Sequence, residues 1–178
     1  MKKILLAGVI GATVAFMWGS FSWLVLPWHA KSFKEFNEAE KIGEVLKKHA
    51  QEPGMYLLPS GSEEDSFEKM VKGPFLFGSF RADERKMSMG SLMAKNFAYL
   101  LVGAFLLLFV MSRMRFENWR EQVLSFLAIS LFGGVISHMN YWNWWEFSTY
   151  WTFQNILDGA IAWTLAGMAM KKFLPQFS

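Results

Sequence analysis

The chain contains no cysteine among its 178 residues. Disulfide bonds, thiolate nucleophiles, Cys-bound zinc and iron–sulfur clusters are therefore excluded, and thiol usage says nothing about a redox compartment. Charge is also scarce, because Asp, Glu, Lys and Arg make up only 19% of the chain, against about 25% in an average soluble protein. No Gly-rich phosphate loop, HExxH or GxSxG motif occurs, so the sequence favours a role other than catalysis.

The few charges are also unevenly placed. Lys and Arg are missing from three long stretches, residues 4–30, 96–112 and 123–169. A soluble fold would carry charges on every helix, so this segregation indicates an integral membrane protein. The net charge of +3 comes from residues at the edges of the apolar stretches rather than from a basic patch, and we expect no nucleic-acid partner.

Four apolar runs are each long enough to cross about 30 Å of hydrocarbon as a helix. They predict an all-α integral membrane protein, a four-transmembrane-helix bundle with a small α+β extracytoplasmic insert between helices 1 and 2. The predicted transmembrane helices are residues 4–27, 91–112, 123–139 and 150–170, with the insert at 28–90, a cytoplasmic loop at 113–122 and an aromatic outer loop at 140–149. The first run is longer than the apolar part of a signal peptide, so we expect it to be retained.

The distribution of basic residues predicts an orientation. The two ends of the chain and the loop at 113–122 carry seven Lys or Arg and two acidic residues, whereas residues 31–95 carry eleven of each sign. The positive-inside rule then places both termini in the cytoplasm and the insert outside, in a multi-pass protein of the bacterial inner-membrane type. The Trp and Tyr side chains of the outer loop are expected to form a belt at headgroup depth.

Small residues indicate which helices pack tightly. Ala7, Gly11, Ala15 and Gly19 repeat every four residues in the first run, and the third and fourth runs carry similar small residues. Helices in lipid associate where small residues let their backbones approach. We therefore expect runs one, three and four to form the tight core, with the bulkier second run more exposed.

The insert contains a capping-box pattern at Ser32 and Glu35 that predicts an amphipathic helix over residues 32–49. Its apolar stripe is expected to dock on the bundle or on a partner protein, and its predicted interface residues are Phe33, Phe36 and Leu46. Two short strands are predicted at residues 55–59 and 74–80, with an acidic helix at 62–71 between them.

Candidate chemistry centres on Asp158, which lies about two turns inside the fourth run. An acid at that depth needs a partner or a proton, and the first candidate partners are Lys95 and His138. Polar side chains expected at the same depth form a candidate ligand-binding site or structural cluster: His29, Lys95, His138, Asn140, Asn155 and Asp158. We assign no catalytic residue and no metal ligand.

Three functions are compatible with these features. The principal expectation is a non-catalytic accessory or structural subunit of a larger membrane complex, in contact with lipids and with a partner membrane protein or a second copy. The alternative is a carrier component for small molecules or ions, or a quinone- or lipid-binding protein. The second alternative is a metal- or haem-binding redox protein that uses His29 and His138. The sequence requires no cofactor, and lipid, quinone and haem are all compatible with it.

Overall fold

The computed structural model describes residues 2–50, 52–59 and 66–173. These residues form six α-helices, a short 3-10 helix and two β-strands. In chain order the elements are α1 (Lys2–Leu24), the 3-10 helix (Ala30–Ser32), α2 (Ala39–His49), β1 (Gly54–Leu58), α3 (Ser66–Lys72), β2 (Leu76–Phe80), α4 (Met89–Met111), α5 (Trp119–Trp144) and α6 (Thr149–Lys171). The predicted class, a mostly helical protein with a small two-stranded sheet, is confirmed.

Three of the helices, α1, α4 and α5, are long and apolar enough to cross a membrane. The chain therefore has the character of a membrane-spanning protein. The fourth predicted span corresponds to α6, which has 23 residues but is not among the helices that meet both criteria of length and apolarity. Its polar side chains, including Gln154 and Asp158, lower the mean hydropathy of the helix.

The chain divides into two compact units, and the first comprises residues 1–33 and 87–178. Within it α6 packs against both α1 and α5, and α1 also packs against α4. The expected tight packing of the fourth run with the first and third therefore appears in the contacts of α6. However, α4 is less peripheral than expected, because Ala104, Leu108 and Met111 are buried against the rest of this unit.

Small residues permit the close approach of these helices. At Gly11 of α1, a Cβ atom would overlap the Met170 side chain of α6, and at Gly167 of α6 a Cβ atom would lie 2.8 Å from Phe126 Cγ of α5. Both neighbouring side chains are fully buried. The Ala7, Gly11 and Ala15 repeat is buried as well, so the small-residue face of α1 is a packing face.

The third apolar run forms a longer helix than its hydropathy predicts. It was expected to end at residue 139, with an aromatic loop at 140–149, but α5 continues to Trp144. No Gly or Pro interrupts the chain between Val135 and Ser148, and Trp and Tyr are compatible with a helix, so nothing stops it earlier. The remaining turn is short, because Ser148 already caps α6 by accepting from the Trp151 N–H at 3.1 Å.

The second unit comprises residues 34–86. Its strands β1 and β2 pair antiparallel, with Met55 opposite Ser79 and Leu57 opposite Phe77. They lie within two residues of the predicted strand limits. The predicted acidic helix at 62–71 falls partly on residues 60–65, which lie outside the described residues, and its described part is α3.

The predicted amphipathic helix at 32–49 is wrong at its beginning. The helix starts at Ala39, and Glu38 precedes it in the left-handed backbone region at φ 54°. Ser32 cannot act as the expected cap, because it lies in the 3-10 helix and its hydroxyl donates to the Gln154 side chain. The proposed interface residues Phe33 and Phe36 therefore precede the helix that carries Leu46, and the three do not form one helical stripe. Phe33 and Phe36 are nevertheless exposed, at 61% and 58%.

Candidate functional site

A polar cluster forms where the carboxyl end of α1 meets the amino end of α6. Trp18 and Ser22 lie one turn apart on α1, and Gln154 and Asp158 lie one turn apart on α6, so each pair shares a helix face. The Trp18 indole Nε1 donates to Asp158 Oδ1 at 2.7 Å. The Asp158 side chain is only 13% exposed, so this bond forms with little access of solvent.

His29 completes the cluster from the segment that follows α1. The chain leaves α1 at Leu24, and Pro27 and Trp28 lead into the 3-10 helix that begins directly after His29. This path brings the imidazole back over α1, where it is 5% exposed. Its Nε2 atom lies 3.5 Å from Asp158 Oδ2. The Trp23 ring stacks on the imidazole, with a centroid distance of 3.9 Å and an interplanar angle of 13°.

The tautomer of His29 is assigned from the orientation of the Gln154 side-chain amide. Ser32 donates its hydroxyl to Gln154 Oε1, which leaves the Gln154 amide nitrogen directed at His29 Nδ1. Because an amide nitrogen only donates, Nδ1 accepts and the proton of the neutral ring resides on Nε2. That N–H faces Ser22 Oγ, 2.9 Å away, which also accepts from the Trp28 indole at 2.9 Å.

The electrostatics of the cluster follow from burial. Desolvation lowers the pKa of His29 from its ordinary value of 6.5, and the nearby Asp158 carboxylate opposes this shift only in part. His29 is therefore neutral at pH 7. Among the described residues, Asp158 contacts an indole donor and an uncharged imidazole, and the 3.5 Å contact with His29 becomes an ion pair only if the ring is protonated.

Two cavities lie beside this cluster. The first, here called the mouth cavity, has a volume of about 430 Å³ and lies among α1, α4 and α6. Its lining includes Phe16, Trp18, Trp23, Asn96, Tyr99 and Asp158. The second, here called the slot, has a volume of about 450 Å³ and lies between α4 and α5 on a floor of α6. Its lining includes Leu106, Val110, Ile129, Ser130, Gly133 and Trp163.

The two cavities share three lining residues, His138, Asn155 and Gly159. Gly159 carries no side chain that could separate the two cavities, and no described neighbour lies within 4 Å of its Cβ position. The lining is more polar and more aromatic beside Asp158 and more apolar between α4 and α5, where Leu106, Val110 and Ile129 contribute. Such a gradient suits a molecule with a polar head and an apolar tail.

The structure brings together some of the side chains that the sequence suggests. His29 and Asp158 are in contact, and His138 and Asn155 line both cavities. Each of the latter two is hydrogen-bonded within its own helix: His138 Nδ1 lies 2.9 Å from the Gly134 carbonyl, and Asn155 Nδ2 donates to the Trp151 carbonyl at 2.8 Å.

Two suggested members lie elsewhere. Lys95 and Asn140 are exposed, and neither lines the mouth cavity or the slot. Lys95 was the first candidate partner for Asp158, but the side chains in contact with the carboxylate are those of Trp18 and His29.

Sequence reasoning missed three members of the cluster: Trp18, Ser22 and Gln154. A signal for them exists, because Gln154 precedes Asp158 by one turn and Trp18 precedes Ser22 by one turn. The general preference of Trp for the membrane interface explains aromatic rings at that depth but does not identify which indole N–H groups have buried acceptors.

No three His, Asp or Glu side chains within residues 2–50, 52–59 and 66–173 are arranged to hold a metal ion. His29 contacts Asp158, whereas His138 bonds to its own helix. Comparison with known proteins adds no assignment, since no protein-family model, curated protein or solved structure matches the chain.

Proposed function

We propose that this chain is a membrane protein of four helical crossings that binds an amphipathic small molecule from the lipid phase, of the lipid or quinone type. The sharing of three lining residues, His138, Asn155 and Gly159, by the mouth cavity and the slot is the observation that carries the proposal. Each cavity has a volume within the range of about 300–1,000 Å³ that is usual for small-molecule sites.

The packing of α6 supports a fourth crossing. Its 23 residues extend about 34 Å, and it packs against both α1 and α5, two helices that are apolar enough to span. Its less apolar composition is compatible with this position, because Thr152 and Gln154 are buried and Asp158 is nearly so. A helix whose polar side chains face its neighbours does not present them to lipid.

The charge distribution supports an orientation for the site. The ends of the chain and the loop between α4 and α5 carry the excess of basic residues, so we place them in the cytoplasm. The mouth cavity then lies near the outer leaflet of a bacterial inner-membrane type of bilayer. A ligand would place its head beside Asp158 and its tail in the slot between α4 and α5.

Photolabelling tests the proposal directly. The probe is a twelve-carbon alcohol with a photoreactive diazirine in its chain, added to the purified protein in lipid nanodiscs and mapped by peptide mass spectrometry. We expect saturable labelling of slot residues such as Leu106, Val110 and Ile129. Gly133→Leu should abolish it, because Gly133 lines the slot with open space at its Cβ position, so that a larger side chain fills the slot.

The matched control is Phe132→Leu, which introduces the same residue at the neighbouring position, 69% exposed on α5. This variant should label like the wild type. Labelling that is non-saturable, or that is unchanged by Gly133→Leu, would show only general contact with the probe and would refute the binding function.

An accessory subunit of a larger membrane complex is the second candidate. Val102 and Phe109 of α4 are about 60% exposed, and so are Phe33 and Phe36 outside the apolar helices. A partner membrane protein or a second copy could cover these side chains. Purification of the chain from its native membrane in mild detergent tests this role, and a single monodisperse monomer with no co-purifying protein would contradict it.

A further inference from the structure

The mouth cavity has an unusual balance of charge for a head-group site. Among its described lining residues Asp158 is the one acidic side chain, and neither Lys nor Arg contributes. Lys95 is the basic residue nearest in sequence to the α4 part of the lining, and it is exposed outside it. The other polar lining groups include the uncharged amides of Asn96 and Asn155 and the imidazole of His138. An anionic head would therefore meet the Asp158 carboxyl group without a permanently cationic side chain in the lining.

Within the described part of the chain, the Asp158 carboxyl group has no permanently cationic partner. Asp158 is 13% exposed and contacts the indole N–H of Trp18 and the imidazole of His29. The ring of His29 is neutral near pH 7, since burial lowers its pKa and its Nδ1 accepts from Gln154. A carboxylate at membrane depth is costly unless it is paired with a cation or protonated. A cationic ligand would provide that partner.

Aromatic rings surround the same space. Phe16, Trp18, Trp23 and Tyr99 all line the mouth cavity. The faces of such rings attract ammonium groups, and the attraction is greatest where water is excluded. A carboxylate together with several aromatic rings is suited to a primary or quaternary ammonium.

We infer that the mouth cavity binds the ammonium head of a cationic amphiphile, with Asp158 as the counter-ion and the rings of Trp18, Trp23 and Tyr99 around the head. This inference rests on the proposed function, because the tail occupies the slot. It adds the chemical class of the ligand: an alkylamine or a quaternary ammonium with a single apolar chain or a compact apolar body.

A series of three probes with one tail tests the inference. Each has the same twelve-carbon diazirine chain, and the heads are trimethylammonium, hydroxyl and sulfate. In nanodiscs of neutral lipid the trimethylammonium probe should reach half-maximal labelling at a concentration about tenfold lower than the hydroxyl probe, given the combined strength of cation–π and charge contacts. The sulfate probe should label least.

Two substitutions distinguish the effect of the Asp158 charge on probe binding from the effect of the total charge of the protein. Asp158→Asn removes the negative charge but keeps an oxygen that can accept from Trp18. We therefore expect it to remove the preference for the trimethylammonium probe, while the hydroxyl probe still labels the slot. Glu146→Gln removes one negative charge at an exposed position that lines neither cavity. This variant should keep the tenfold preference.

The outcomes are distinguishable from those of the proposed function. Equal labelling by the trimethylammonium and hydroxyl probes, both blocked by Gly133→Leu, would overturn the cationic head and leave the binding function in place. A preference for sulfate would overturn it as well, and so would an equal loss of the preference in Glu146→Gln and Asp158→Asn. If no probe labels the slot saturably, both proposals fail.

Discussion

The hydrogen bond between Trp18 and Asp158 can be tested by replacing the indole with an aromatic ring that has no N–H donor. Trp18→Phe deletes the indole N–H that donates to Asp158 Oδ1 at 2.7 Å and keeps an aromatic ring on α1. A hydrogen bond to a charged group contributes about 1.5–3 kcal/mol. Since the Asp158 side chain is only 13% exposed, water cannot readily replace the lost donor. We therefore expect the free energy of unfolding to fall by about 2 kcal/mol.

The measurement is reversible unfolding of the purified protein by titration with SDS in mixed micelles, followed by far-UV circular dichroism. The same substitution in an Asp158→Asn background completes a double-mutant cycle. There Trp18→Phe removes a hydrogen bond to an uncharged amide oxygen, for which we expect a cost of about 1 kcal/mol. The coupling between the two positions should then be about 1 kcal/mol.

A control and a contrary outcome make this cycle decisive. Trp119→Phe alters an indole that is 61% exposed and should change the free energy of unfolding by less than about 0.5 kcal/mol. If Trp18→Phe has the same cost whether residue 158 is Asp or Asn, the indole stabilises the protein through ring packing. The described contact between α1 and the acid of α6 would then have no energetic role.

Three further predictions test other parts of the structure. Gly167→Ala places a methyl group 2.8 Å from the buried Phe126 Cγ and should lower the free energy of unfolding by about 1–2 kcal/mol after the gain in helix propensity. Gly133→Ala is the control, because no described neighbour lies within 4 Å of that Cβ position, and it should not lower the free energy of unfolding. Equal effects of the two substitutions would refute the contact between α5 and α6 at Gly167. Thr152 is fully buried, and its hydroxyl has no hydrogen-bond partner among the described residues. Thr152→Val should therefore leave the midpoint of SDS unfolding unchanged or raise it. A clear fall in that midpoint would indicate that the hydroxyl is hydrogen-bonded. Burial lowers the pKa of His29, so below the ordinary value of 6.5 the unfolded chain takes up a proton that the folded chain does not, and stability should decrease as the pH falls. Thermal unfolding measured between pH 7.5 and pH 5 should show a smaller loss of stability in His29→Gln than in the wild type. Identical dependence of stability on pH in the two proteins would contradict the lowered pKa of His29.

Much of the helical architecture is predictable because apolar length is a strong local signal. The runs that become α1, α4 and α5 stand out by composition alone, and the scarcity of Lys and Arg within them is explained by the cost of charge in hydrocarbon. Helix ends are less predictable, because they depend on competing tertiary contacts. Ser32 fits a capping pattern, yet its hydroxyl bonds to Gln154, more than a hundred residues away in the chain.

The site could be predicted only in part for a similar reason. Asp158 is conspicuous as an acid inside an apolar run, and His29 as a histidine at the end of another. Their contact across 3.5 Å depends on the path of the chain after Leu24, which no local pattern specifies. Ser22 and Gln154 carry uncharged side chains that are ordinary in sequence, and only the positions of their neighbours show that both bind one imidazole.

The position of α6 links its composition to its role. A helix between two others has less contact with lipid, so it can carry polar side chains that a peripheral helix could not. In α6 these side chains lie toward one end, where Gln154 and Asp158 meet His29, Ser32 and Trp18. Small residues occur in its other turns, and Gly159 lines both the mouth cavity and the slot. The modest hydropathy of α6 and the site beside it therefore have one physical cause: the helix contributes its polar groups to the interior of the bundle.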